Sequence, residues 1–264
     1  MAPPLDSLRA KIERTKKHVL DLQGAIRAFL DSRPYQVRTK NDPDTRKLVY
    51  YVSRVQDVPI DVIPQITADA LCNMVSILDH LTYALFLKGG GGGSGRNIQF
   101  PISNASTSTE HETKCEGKVK GLPQPTIDDL LAFEAYKGGK GNDLWVLNEL
   151  NNLSKHRALI TVGTRFRSMN VGADVAARMR KLFPDLAVPD IPLFIGETGA
   201  LSPLKVGDEL FIGDADEEVN EKMEFTFDIA LYESQIVHAE PLIETIHQLV
   251  ALVDAIVNQF ASRL

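Results

Sequence analysis

Apolar positions at both ends of the chain recur every three or four residues. Leu5, Leu8, Ile12, Thr15, Val19, Leu22, Ile26 and Phe29 form one stripe, and Leu242, Ile246, Leu249, Val253, Ile256 and Phe260 form another. This spacing keeps one face of a helix apolar, so it predicts half-buried helices over about 5–30 and 239–262. "DSRP" closes the first, because the residue before Pro34 is pushed out of helical geometry. A third helix, about 64–88, opens at Pro64, which suits a first turn. It is apolar almost all round and should be central. Thr126 and Asp143 can cap helices over about 126–136 and 143–157. "YQVRT" and "KLVYYVSRV" flank the turn cluster "KNDPD" and read as a hairpin within 35–55. Within 158–233, "ALITVGTRFRSM", "IPLFIGE", "GDELFIGD" and "KMEFTFDIALYE" read as strands, and "GADVAARMRKLF" as a short helix. The last strand alternates at Met223, Phe225, Phe227, Ile229 and Leu231. "GGGGGSG" at 89–95 reads as a mobile loop, with no GK[ST] after it to make a phosphate cradle. The polar stretch 104–121 reads as a loop with one helical turn or more.

These elements predict one domain over 1–264. Its class is α+β and mainly α, a helical bundle built from both chain ends and carrying a small antiparallel β layer. The chain is 44% hydrophobic and 24% charged, an ordinary globular composition for its 264 residues. A net charge of -6 argues against general nucleic-acid binding, which needs a basic surface. Arg165, Arg167, Arg178, Arg180 and Lys181 lie close in sequence, but solvated surface cations are the simpler reading. Cys72 and Cys115 make no disulfide framework, and Cys72 falls in an apolar helical run where a thiol is usually a small core residue. The N-terminus lacks a signal-peptide core. No apolar run approaches the ~18 residues of a membrane span. The expectation is a soluble cytoplasmic protein without a membrane partner. Its two striped terminal helices could pair within one chain or form a homodimer.

Two polar stripes carry the candidate chemistry. On the central helix Asn73, Ser76, His80 and Tyr83 fall within about 80° of one another at 100° per residue. Asp79 stands beside them. On the later helix Val146, Leu150 and Leu153 define an apolar face that would include Arg157, with Glu149, Asn152 and His156 along its flank. An inward guanidinium needs a carboxylate, because an unpaired buried charge is very costly; Asp79 and Glu149 are the candidates. The expectation is that Asn73, Ser76, Asp79 and His80 meet Asn152, His156 and Arg157 between two bundle helices, where helical bundles do build sites. The plainer and favoured reading is a network that fixes helix register.

"ADALCNMVSILDHLTYAL", then "FPI" at 100–102, then "LWVLNELNNLSKHRAL" resembles a group of uncharacterised bacterial proteins whose central helix reads like "GDALHNLRSALDHLAYAL". The resemblance extends to the terminal helices and implies no particular activity. His80 on a bundle helix is also similar to the motif of HEPN-type bundles, many of which are metal-independent ribonucleases using an Arg five residues before the His. This likeness implies a HEPN-like bundle in which His80, His156 and Arg157 are catalytic and RNA is the substrate. The chain departs from it at Val75, where the Arg should stand.

Other constellations add little. "EHETKC" places His111 and Cys115 four apart but has no partner pair, so it reads as a polar loop. Neither metal nor cofactor is expected. Two functions follow: a non-catalytic binding or interaction protein of unknown ligand or protein partner, holding it with Asn73, Ser76, Asp79 and Asn152; or a ribonuclease or nucleotide-processing enzyme using His80, His156 and Arg157.

Overall fold

The computed structural model describes residues 4–92, 95–156, 160–189, 191–196, 202–215, 219–220, 223–233, 235–237 and 239–264. In chain order these form α1 (Pro4–Asp31), β1 (Tyr35–Asn41), β2 (Lys47–Val55), α2 (Ile63–Lys88), α3 (Ser108–Val119), α4 (Gln124–Leu131), α5 (Asn142–His156), β3 (Val162–Asn170), α6 (Gly172–Leu182), β4 (Phe194–Gly196), β5 (Glu209–Ala215), β6 (Glu224–Leu231), β7 (Glu240–Pro241) and α7 (Leu242–Phe260).

Burial of one helix organises the others. Leu71, Met74, Ile77, Leu78 and Leu81 of α2 are all essentially inaccessible. They pack against the stripes of α1 and α7 and against α5 in one apolar cluster. The two terminal helices therefore pair within the chain, and a polar contact between Gln23 Nε2 and His247 Nε2 at 2.7 Å joins them at the surface. By length and composition α2 could cross a membrane, the one such helix among the described residues, but most of it is buried inside the protein. Nor is it apolar on every side: Cys72, His80, Tyr83, Leu87 and Lys88 are exposed. Cys72 is thus a surface thiol rather than a core residue.

The β part corrects the expected HEPN-like bundle with a small β layer. The chain is α+β with two antiparallel sheets, ordered β1-β2-β5 and β4-β3-β6-β7. The hairpin β1–β2 gains a distant third strand, with Val49 opposite Ile212. The sheets enclose their own apolar cluster of Val52, Phe166, Met169, Val171, Leu204 and Leu210. Tyr35 ties them together: its ring lies 4.4 Å from that of Phe227, and its hydroxyl is 2.6 Å from Thr164 Oγ1. Burial pushes the Tyr35 phenol up to about 12. A strand layer with a core of its own is a second structural unit of the fold, not a covering for helices.

Two further segments take a definite local form. Residues 108–119 form three turns of helix, opened by Thr107, whose side chain accepts from the Glu110 N–H. Within the run 89–95, Gly93 and Ser94 lie outside the described residues, and Gly91 is closely confined. A Cβ on Gly91 would come within 2.3 Å of the Phe86 ring, and one on Gly121 would meet the same ring at 3.0 Å. These glycines let backbone approach a buried aromatic side chain. Gly92 has nothing within 4 Å of its would-be Cβ. Accordingly Gly91→Ala should destabilise the protein by about 1–3 kcal/mol through overpacking. Gly92→Ala should be neutral or slightly stabilising through the unfolded chain. Urea unfolding of the two variants separates a shaped loop from a loose one, since a loose loop would give both the same midpoint.

Candidate functional site

The polar residues of α2 separate into two directions. Asp79 turns toward the segment before α3, where one carboxylate oxygen accepts from the Phe100 N–H at 3.0 Å. Burial raises its pKa, opposed by that hydrogen bond and by the nearby charges of Lys118, Lys155 and His80. Ser76 and His80 turn toward α1. Lys11 donates to Ser76 Oγ at 2.9 Å. Desolvation and then the Lys11 charge hold the His80 imidazole below its usual range. Lys11 is itself lowered by burial. Asn73 is half-buried on the same helix.

The buried face of the later helix is wider than expected. Leu144, Trp145, Val146, Leu147, Leu150 and Asn151 of α5 are buried, whereas Leu153 is only partly covered and Asn152 is exposed. The inward polar side chain is therefore Asn151, and its Oδ1 has no hydrogen-bond partner among the described residues. His156 is the last residue of α5; its side chain, and Arg157 altogether, lie outside the described residues. The cation that α5 brings toward Asp79 is Lys155. Glu149 receives only a long contact from Asn148, at 3.4 Å. Among the described residues, the expected meeting of the two stripes is represented by Asp79 near Lys155.

His80 instead lines an open groove of about 510 Å³ between the start of α1 and the end of α2. Pro4, Leu8, Tyr83, Ala84 and Leu87 make its apolar wall, and Ser7, His80 and Lys88 supply polar groups. Among the described residues no carboxylate lines it. Several apolar side chains converging with a few polar ones is the usual make-up of a small-molecule site.

A second group was missed by sequence reasoning. His111 and Cys115 lie on the inner face of α3, both fully buried. His111 Nδ1 is 2.8 Å from Ser103 Oγ and 3.7 Å from Cys115 Sγ. Its ring lies against Tyr136, and Nε2 has no partner among the described residues. Burial lowers the imidazole pKa and raises that of the thiol. The signal was present in the sequence: Thr107 and Glu110 have capping-box spacing, and His111, Cys115 and Val119 recur every four residues. With no opening to solvent, this group is a packed polar cluster. Among the described residues no set of three His, Cys, Asp or Glu side chains could hold a metal ion. The sequence-adjacent cations are mostly engaged: Arg165 donates to the Ala239 carbonyl at 2.7 Å, and Arg178 pairs with Asp214 at 2.8 Å.

Comparison of the chain with protein-family models, with curated proteins and with solved structures returns no match.

The buried histidine gives a stability test with a definite sign. The folded-state pKa of His111 lies below the ordinary 6.5, so on acidification the unfolded chain takes up a proton before the folded one does. Stability should then fall as pH drops below about 6.5. The urea midpoint of the wild type should decrease between about pH 7 and 5.5, and that of His111→Gln should decrease less. Parallel pH profiles for the two proteins would show that His111 is not held neutral by the fold.

Proposed function

We propose that the protein is a non-catalytic binding protein whose ligand lies in the groove between α1 and α2, beside His80. The observation that supports this reading is the lining of the groove, apolar along one wall, bearing His80 and Lys88, and free of carboxylates. Lys11, close behind His80, adds a second positive charge on the same side. An amphipathic anion fits such a surface. Its chain would lie on Leu8, Ala84 and Leu87, and its head group would face Lys88 and His80. Charge complementarity of this kind gives orientation as well as affinity.

The enzymatic alternative has less to support it. Asp79 and His80 leave α2 in different directions, so they do not converge on one reacting atom. Position 75 is Val, and Lys11, whose charge acts on His80, is already bonded to Ser76.

The test is isothermal titration with 1-decanesulfonate, whose charge is constant with pH, against decyltrimethylammonium, which has a similar tail and the opposite charge. The sulfonate should bind and the ammonium should not. Leu87→Glu should abolish binding, and Lys88→Gln should weaken it roughly tenfold through loss of a charge-assisted contact. Because the His80 pKa lies below its usual range, the imidazole gains its charge only on acidification. Affinity should rise as pH falls below about 6.5, and His80→Gln should remove that rise. Equal binding of the two amphiphiles, or binding of neither, would contradict the proposal.

A further inference from the structure

The exposed apolar surface of the molecule is concentrated in one place, well separated in sequence from the groove. On α6, Val175, Met179 and Leu182 stand at i, i+4 and i+7, which puts them on one helical face. That face points outward: the three side chains are 41%, 39% and 70% exposed, while Ala176 on the opposite flank is buried. An amphipathic helix normally turns its apolar stripe to the core. Beside it runs the segment leading into β4, in which Leu193, Phe194 and Ile195 are all about half exposed. Successive residues of a strand point to opposite faces, so here neither face is covered.

This surface is firmly held. The Asn170 side chain accepts from both the Gly172 and Leu193 N–H groups at 3.1 Å. The Val171 N–H donates to the Leu193 carbonyl. A Cβ on Gly172 would fall 2.0 Å from the Ile191 carbonyl oxygen, so the start of α6 and this segment are in the closest backbone contact. Among the described residues β4 pairs only with β3 and forms the edge of its sheet. An edge strand presents a row of unpaired backbone groups, a template for a further strand.

We propose that this face is the contact between two copies of the chain related by a two-fold axis, with the α6 stripes packed together and the β4 edges paired antiparallel. Two observations select a second copy. An antiparallel edge pair is self-complementary, as an isologous contact requires. Taken with Phe183, Leu186 and Ile191, the exposed apolar area is on the order of 800 Å² per chain, which matches one side of a standard protein interface. The arginines of α6 are engaged within the chain, Arg178 with Asp214 and Arg180 with the Val188 carbonyl. Arg180 and Lys181 keep their charges in the last turn of α6, so an anionic membrane is the competing occupant that the vesicle measurement below decides.

Sedimentation equilibrium of the full chain across the micromolar range tests this. The expected mass is twice the 29.2 kDa of one chain. The double variant Met179→Glu, Ile195→Lys should sediment at the single-chain mass with an unchanged far-ultraviolet circular dichroism spectrum, since both side chains are substantially exposed in one copy. In a Cys72→Ser background, Leu182→Cys should form a disulfide-linked dimer on mild oxidation. Leu20→Cys, equally open on α1 at 65% exposure, should not. A wild type that stays single at every concentration overturns the proposal. So does a dimer that survives the double variant, which would place the interface elsewhere. Binding of the wild type to phosphatidylglycerol vesicles as a single chain, lost in the double variant, would assign the face to a membrane and overturn it as well.

Discussion

Burial of α2 is the constraint on which the rest of the helical part depends. Its side chains Leu71, Met74, Ile77, Leu78 and Leu81 can leave water only if α1, α5 and α7 close around them. At roughly 1.5–3 kcal/mol for each large apolar side chain, this single helix contributes a substantial part of the hydrophobic stabilisation. The same packing decides where its polar residues go. With three helices and the segment before α3 occupying most of its circumference, Asp79 must find a partner inside, and it finds the Phe100 N–H. His80, about 100° further round, falls where α1 begins and the wall is open.

That division separates architecture from candidate function. Asp79 fastens the connection out of α2 and lies near Lys155 and Lys118. His80 and Lys88 border a groove whose wall is apolar and whose charges share one sign. A polar group turned inward is constrained by the need for a partner, whereas one beside an opening is free to meet a ligand. His111 belongs to the first class despite its thiol neighbour. It is enclosed, and its contacts are to Ser103, Cys115 and Tyr136.

What the sequence made legible was local and periodic. The stripe of α1 is the set of residues that the fold buries, Leu8 through Phe29, because a 3-4 spacing admits one buried face only. On α5 two overlapping stripes were available. Both are buried over most of their length, Leu144, Leu147 and Asn151 on one and Val146 and Leu150 on the other, so that Asn151 rather than Asn152 turns inward. A polar residue in the first stripe hid it from a hydrophobic count. The glycine run was unreadable for another reason: what shapes it is the ring of Phe86, which composition does not show. The sheets were the largest difference. Pairings such as Val49 with Ile212 and Tyr35 with Thr164 join distant parts of the chain, and no local pattern encodes them. A hairpin and a few isolated strands therefore read as a small layer when they are two sheets with a core.

The central claim is that the ligand surface lies on the α1 side of α2 and that the α5 side is structural. Amide chemical-shift mapping of the isotope-labelled protein during titration with 1-decanesulfonate tests it most directly. The account predicts shifts concentrated at Ser7, Leu8, His80, Tyr83 and Leu87, with Phe100 and Lys155 unmoved. Shifts centred on Phe100, Asn151 and Lys155, or no saturable shift anywhere, would contradict it.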